Sequence, residues 1–143
     1  MYKSFKRLCD VVISLILLVV LSPLMLITIL AVRAESKGSA IFKQERLGLN
    51  GKVFTIYKFR SMCVGAEHTG TGVYSGADDM RVTKVGRIIR ATSIDELPQL
   101  VNILKGDMSF IGPRPPLTYH PWELSEYTAE QLHMFDTLSL IHI

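Results

Sequence analysis

The stretch Val11-Val12-Ile13-Ser14-Leu15-Ile16-Leu17-Leu18-Val19-Val20-Leu21-Ser22-Pro23-Leu24-Met25-Leu26-Ile27-Thr28-Ile29-Leu30-Ala31-Val32 holds no charged side chain, and its reading decides the fold. At about 1.5 Å per residue it makes a helix of roughly 33 Å, enough to cross a hydrocarbon core of about 30 Å. It is longer than the apolar core of a cleaved leader, Asp10 abuts it, and no A-x-A site follows. Ser22-Pro23 falls at its centre. Pro23 offers no N–H to the carbonyl of Val19, so a kink is expected there, with the Ser22 hydroxyl offsetting part of the loss. Basic residues flank both ends, Lys3, Lys6 and Arg7 before and Arg33, Lys37, Lys43 and Arg46 after, so neither end is marked as the outside. The residues alone fit both a kinked spanning helix and a re-entrant one that turns back at mid-bilayer.

Hydrophobic residues make up 48% of the 143, concentrated in this segment, and the net charge is +3. That mild excess suits an anionic membrane surface or an anionic substrate. No nucleic-acid-binding signature occurs, and no nucleic acid partner is expected. Cys9 and Cys63 stand far apart without a CxxC pattern or zinc-ligand spacing, which predicts reduced thiols in a cytosolic compartment.

After Arg33 the chain reads as a water-facing domain. Ala40–Glu45 and Lys52–Phe59 are rich in aromatic and β-branched residues and are separated by a turn at Asn50-Gly51, which predicts a β-hairpin. In Tyr57-Lys58-Phe59-Arg60 cations alternate with aromatics, so one face should pack while the other presents Lys58 and Arg60, at minimum as a solvated strand face. The glycine-rich Gly65–Asp79 reads as a loop covering a site. Across Arg81–Thr92, the spacing of Arg81, Lys84, Arg87 and Arg90 predicts a helix with a basic stripe, facing either anionic lipid or a bound anion. The fold class expected is α+β.

Ser93-Ile94-Asp95-Glu96-Leu97-Pro98-Gln99-Leu100 carries the chemistry. Ser93 with Glu96 three residues on is a capping-box pattern, and Leu97, Leu100, Val101 and Leu104 have helical spacing, so a helix over 94–104 is expected. Pro98 lies deep in its first turn and could move the start later. Asp95 and Glu96 are explained as acids at the positive end of a helix dipole. They equally suit phosphate chemistry, Asp95 as an ionised nucleophile of depressed pKa and its neighbour as a Mg²⁺ ligand. Asp107 reads as a turn after the helix. Gly112-Pro113-Arg114-Pro115-Pro116 forms a stiff loop whose Arg114 could bind phosphate bidentately.

Phe42-Lys43-Gln44-Glu45-Arg46-Leu47-Gly48, Tyr57-Lys58-Phe59-Arg60-Ser61-Met62, Asp95 to Leu100, and Lys105-Gly106-Asp107-Met108-Ser109 through Gly112-Pro113-Arg114-Pro115 follow in order after a hydrophobic segment broken at Ser22-Pro23. Together they resemble the bacterial sugar transferases, the monotopic polyprenyl-phosphate phosphoglycosyl transferases that initiate bacterial glycan assembly, over residues 1 to about 136. The resemblance implies a re-entrant N-terminal helix over residues 1–35, broken at Ser22-Pro23, and a catalytic domain over 36–136 on the cytoplasmic face of the inner membrane. It implies that Asp95 attacks the sugar-bearing phosphate of a nucleoside diphosphate sugar and carries the phosphosugar covalently to polyprenyl phosphate. Glu96 would bind Mg²⁺, and Lys58, Arg90 and Arg114 would bind phosphates. Residues 137–143 depart from the family pattern, which continues with an Arg-Pro-Gly-Ile-Thr-Gly-Trp type segment and a further acid. That departure predicts a shortened chain lacking part of its acceptor or nucleotide site, and it raises the alternative of an inactive membrane-anchored module that binds only lipid or partners.

Overall fold

The computed structural model describes residues 2–48, 52–66, 79–112, 114–118 and 128. The expected hairpin turn at Asn50-Gly51, most of the glycine-rich loop and the tail over 137–143 lie outside these residues. Helix α1 runs Tyr2–Glu35 with Pro23 inside it. Strands β1 (Ile41–Leu47) and β2 (Val53–Phe59) pair as a two-stranded antiparallel sheet. Helix α2 (Lys84–Ala91), a 3₁₀ turn (Ile94–Glu96) and α3 (Gln99–Lys105) follow. An apolar N-terminal helix with a small sheet and short helices is the α+β architecture expected from the sequence. The contacts divide into two compact units, one of Met1–Val20, Lys43–Tyr57 and Gln99–Ile143, the other of Leu21–Phe42 and Lys58–Pro98.

Helix α1 is long and apolar enough to cross a membrane, and most of its large side chains are exposed, among them Leu15, Ile16, Val19, Leu26, Ile27 and Leu30. A water-soluble helix would bury that stripe; one immersed in lipid need not. Its few polar groups are satisfied locally, the Ser14 hydroxyl donating to Asp10 O and the Thr28 hydroxyl to Leu24 O.

In the first unit, Ile56, Leu100, Ile103 and Met108 form the core, with Leu17 and Leu18 of α1 packed against it. Asn102 is fully buried on this apolar face of α3. Its side-chain amide donates to Thr55 O at 2.7 Å and to Asp107 Oδ2 at 3.2 Å, while its carbonyl accepts the N–H of Tyr57 at 3.1 Å. One amide thereby satisfies two peptide groups along β2, as a further strand would. The basic start of α1 is bound to the same unit. Arg7 donates to the last carbonyls of α3, Ile103 O and Leu104 O, where a cation also complements the helix dipole. Lys6 donates to Ile111 O, and buried Asp10 accepts the N–H of Phe110.

The second unit packs Val32, Ala40, Phe59 and Ile89 together, with Ile94 and Leu97 against them. Arg60 was expected on an exposed cationic face; it is instead buried. It donates to Ser36 O and Ser36 Oγ, both at 2.8 Å, and to Lys37 O. These acceptors lie just past the end of α1, where the helix dipole favours a cation, and three charge-assisted bonds make its burial tolerable. Glu35 accepts the first N–H groups of α2, Lys84 N at 2.7 Å and Val85 N at 2.9 Å. The backbones of α2 and Ser61 approach so closely that a Cβ on Gly86 would lie 1.9 Å from Ser61 O.

Candidate active site

Three elements of the second unit converge on the acidic pair. Strand alternation sends Phe59 into the core and leaves Lys58 facing outward. Lys58 Nζ lies 2.7 Å from Glu96 Oε1. Thr83 caps α2 by accepting the N–H of Gly86. The last turn of α2 carries Arg90, whose carbonyl accepts the N–H of Ser93.

The chain then turns in a way the capping-box pattern did not foresee. Ser93 has φ 57° and ψ 17°, left-handed, and its side chain makes no cap hydrogen bond. Asp95 and Glu96 sit in a 3₁₀ turn closed by Glu96 N–H to Ser93 O and Leu97 N–H to Ile94 O. Helix α3 begins only at Gln99. The continuous helix over 94–104 is thus replaced by two elements, because Pro98 supplies no N–H to extend the first turn. Ile94 and Leu97 anchor the turn in the core, and Asp95 and Glu96 project between these anchors.

Burial is the largest influence on Asp95 and pushes its pKa above the usual carboxylate range. The charge of Lys58 opposes this, the charge of Glu96 adds to it, and the charge of Arg90 opposes it. The depressed pKa expected from a helix N-terminus is therefore corrected: desolvation outweighs the favourable backbone and cationic contributions. A half-buried carboxylate of raised pKa is more basic than a solvated one, and less water must be stripped from it before it attacks. The cations that balance it suit the phosphates of an approaching substrate.

The expected residues thus divide. Asp95, Glu96, Lys58 and Arg90 act on one another within the second unit. Arg114 belongs to the first unit and is exposed, in a segment whose Pro115 carbonyl accepts a bond from Arg46 and whose Pro116 carbonyl accepts the N–H of Leu47. Ser22 and Pro23 are exposed within α1. Arg81 does not extend the α2 stripe as expected. It precedes the helix, where Met62 pairs with Val82, and it grips Asp79 through two nitrogens. Sequence reading missed Glu35 and misplaced Arg60, which tie the end of α1 to α2 and to the chain leaving β2. Their only sequence signal is an acid and a cation beside segment ends.

Among the described residues no cluster of three or more metal-ligating side chains occurs. Mg²⁺ needs no such cage, since it is commonly held by one or two carboxylates together with substrate phosphates and water. The adjacent Asp95 and Glu96 carboxylates fit that donor set, with Glu96 the more exposed of the two.

Residues 1–139 match the sequence profile of the family described as Bacterial sugar transferase. The chain is 47% identical over 116 residues to the UDP-glucose:undecaprenyl-phosphate glucose-1-phosphate transferase of Klebsiella pneumoniae, covering 81% of this chain and 25% of that protein. It is 49% identical over 114 residues to the UDP-N-acetylgalactosamine-undecaprenyl-phosphate N-acetylgalactosaminephosphotransferase of Aeromonas hydrophila, covering 80% and 27%. It is 48% identical over 114 residues to a putative undecaprenyl-phosphate N-acetylgalactosaminyl 1-phosphate transferase of Bacillus subtilis, covering 80% and 63%. The chain thus spans between about a quarter and under two thirds of the length of these relatives.

Proposed function

Since this chain belongs to the bacterial sugar transferase family, we propose that it moves a phosphosugar from a nucleoside diphosphate sugar to polyprenyl phosphate through a covalent adduct on Asp95, the first membrane step of bacterial glycan assembly. The observation that carries the reading is the convergence of Lys58, Arg90 and Glu96 on a partly buried Asp95 of raised pKa. The names of the relatives support the substrate classes, a UDP-sugar and undecaprenyl phosphate.

In the first step a carboxylate oxygen of Asp95 forms a bond to the sugar-bearing phosphorus. The bond from that phosphorus to the bridging oxygen breaks, and the nucleoside monophosphate leaves with the electron pair. In the second step an oxygen of polyprenyl phosphate attacks the same phosphorus and Asp95 departs as a carboxylate. Lys58 and Arg90 neutralise charge on the equatorial oxygens, and Lys58 must loosen from Glu96 to do so. Arg114 is assigned a phosphate-binding role on the family resemblance. Glu96, together with substrate phosphates, would hold Mg²⁺, which when bound neutralises phosphate charge.

The same reading makes α1 re-entrant, with both ends on the cytoplasmic face of the inner membrane. Near its start Arg7 binds the end of α3, and at its end Glu35 binds the start of α2. The re-entrant topology rests on the family resemblance and on Ser22-Pro23 at the centre of the apolar run, where Pro23 offers no N–H to the carbonyl of Val19.

The test is to incubate membranes containing the protein with Mg²⁺, undecaprenyl phosphate and a panel of labelled UDP-sugars. Release of UMP and a labelled protein adduct that disappears in Asp95→Asn are expected. UMP release that survives Asp95→Asn would remove Asp95 from the nucleophile's role.

A further inference from the structure

Helix α2 has two faces with different tasks. Val85, Gly86 and Ile89 face the core, and Arg90 acts on Asp95. The remaining arc, Lys84, Arg87, Ile88 and Ala91, is exposed, and Ile88 is 64% accessible. An isoleucine left open beside Lys84, on the same exposed arc as Arg87, combines apolar surface with positive charge, the combination that suits an interfacial helix.

The depth of this arc follows from α1. Its exposed Leu26, Ile27 and Leu30 belong in hydrocarbon, and its last turn carries Arg33 and Glu35. Glu35 is hydrogen-bonded to the first two N–H groups of α2. Helix α2 therefore starts at the level where α1 leaves the acyl chains, among the headgroups.

We propose that the Lys84–Arg87–Ile88 face of α2 docks on anionic phospholipid headgroups, with Ile88 inserted at the acyl boundary and the two cations among the phosphates. This inference rests on the membrane placement of α1 given above. Docking would hold Arg90 and the adjoining acidic turn at a fixed height, next to the layer where a lipid-borne phosphate resides.

The experiment uses the full chain with Cys9→Ser and Cys63→Ser, reconstituted in nanodiscs of phosphatidylcholine with or without phosphatidylglycerol. A fluorophore is attached at Ile88→Cys, or separately at Ile27→Cys. Doxyl-labelled lipid should quench position 88, more strongly with phosphatidylglycerol present, and Lys84→Gln with Arg87→Gln should remove that enhancement. Quenching of position 88 by aqueous iodide alone, shielding from both quenchers by covering protein, or lipid quenching indifferent to phosphatidylglycerol would each overturn the proposal. Lipid quenching at position 27 in the same discs keeps the α1 placement standing when position 88 fails; its loss at position 27 would instead overturn that placement.

Discussion

Lys58 Nζ stands 2.7 Å from Glu96 Oε1 while its charge also lowers the pKa of neighbouring Asp95. One cation thus serves both carboxylates of the dyad, and its removal should be felt by each. In Lys58→Gln, Asp95 loses the largest influence opposing its raised pKa. The acidic limb of the rate profile should move to higher pH, and kcat at neutral pH should fall about 10²-fold. UMP release measured from about pH 4 to pH 9, a range that spans the ordinary carboxylate and histidine values, checks this; an acidic limb that does not move would remove Lys58 from influence on Asp95.

Asp95 should weaken the fold that displays it. Its folded-state pKa is raised, so between the unfolded and folded values the native protein holds more protons, and stability falls as pH rises through that window. The penalty is complete above the folded pKa and absent below the unfolded one, about 3.9. Asp95→Asn should therefore melt at a higher temperature than the parent at pH 7, and the difference should vanish in acid. Thermal unfolding in detergent across that range reads the sign directly.

Gly86 is needed for contact rather than for conformation. A Cβ there would lie 1.9 Å from Ser61 O, so Gly86→Ala must push α2 off the chain leaving β2. A loss of about 3 kcal/mol is expected from such overpacking. The displaced Arg90 should also raise KM for the sugar nucleotide, which steady-state kinetics at permissive temperature would reveal.

Asn102→Leu keeps the branching and heavy-atom count of a fully buried side chain but strands Tyr57 N–H and Thr55 O. The cost expected is about 3 kcal/mol, one unsatisfied donor and one acceptor. Hydrogen exchange at Tyr57 N–H should accelerate with the loss of its partner, whereas mere loosening of the core would accelerate the exchange of β2 as a whole.

Much of this organisation is legible in the chain. The apolar run, the paired strands and the acidic dyad are carried by local composition and period, and local signals suffice for them. The turn holding Asp95 was not legible, because Ser93 and Glu96 fit a capping box as well as they fit a left-handed residue before a 3₁₀ turn; only the packing of Ile94 and Leu97 decides between these. The direction of the Asp95 shift was missed for a related reason. Burial is a tertiary property, and the helix dipole that suggested the opposite sign belongs to a helix that starts later. Arg60 looked like a surface cation because it alternates with aromatics as Lys58 does, and its partners come from just past the end of α1. Asn102 did leave a trace, a polar residue among Leu100, Val101, Ile103 and Leu104, where an unpaired amide would be costly.

That amide has a further consequence. A two-stranded sheet consists of edges, and open edges recruit other chains. Here Asn102 occupies the outer peptide groups of β2 at Thr55 and Tyr57, while Pro116 and Leu117 pair with β1 at Leu47 and Arg46. At these four described residues the outer backbone is already taken, so a second copy could not extend the sheet through them.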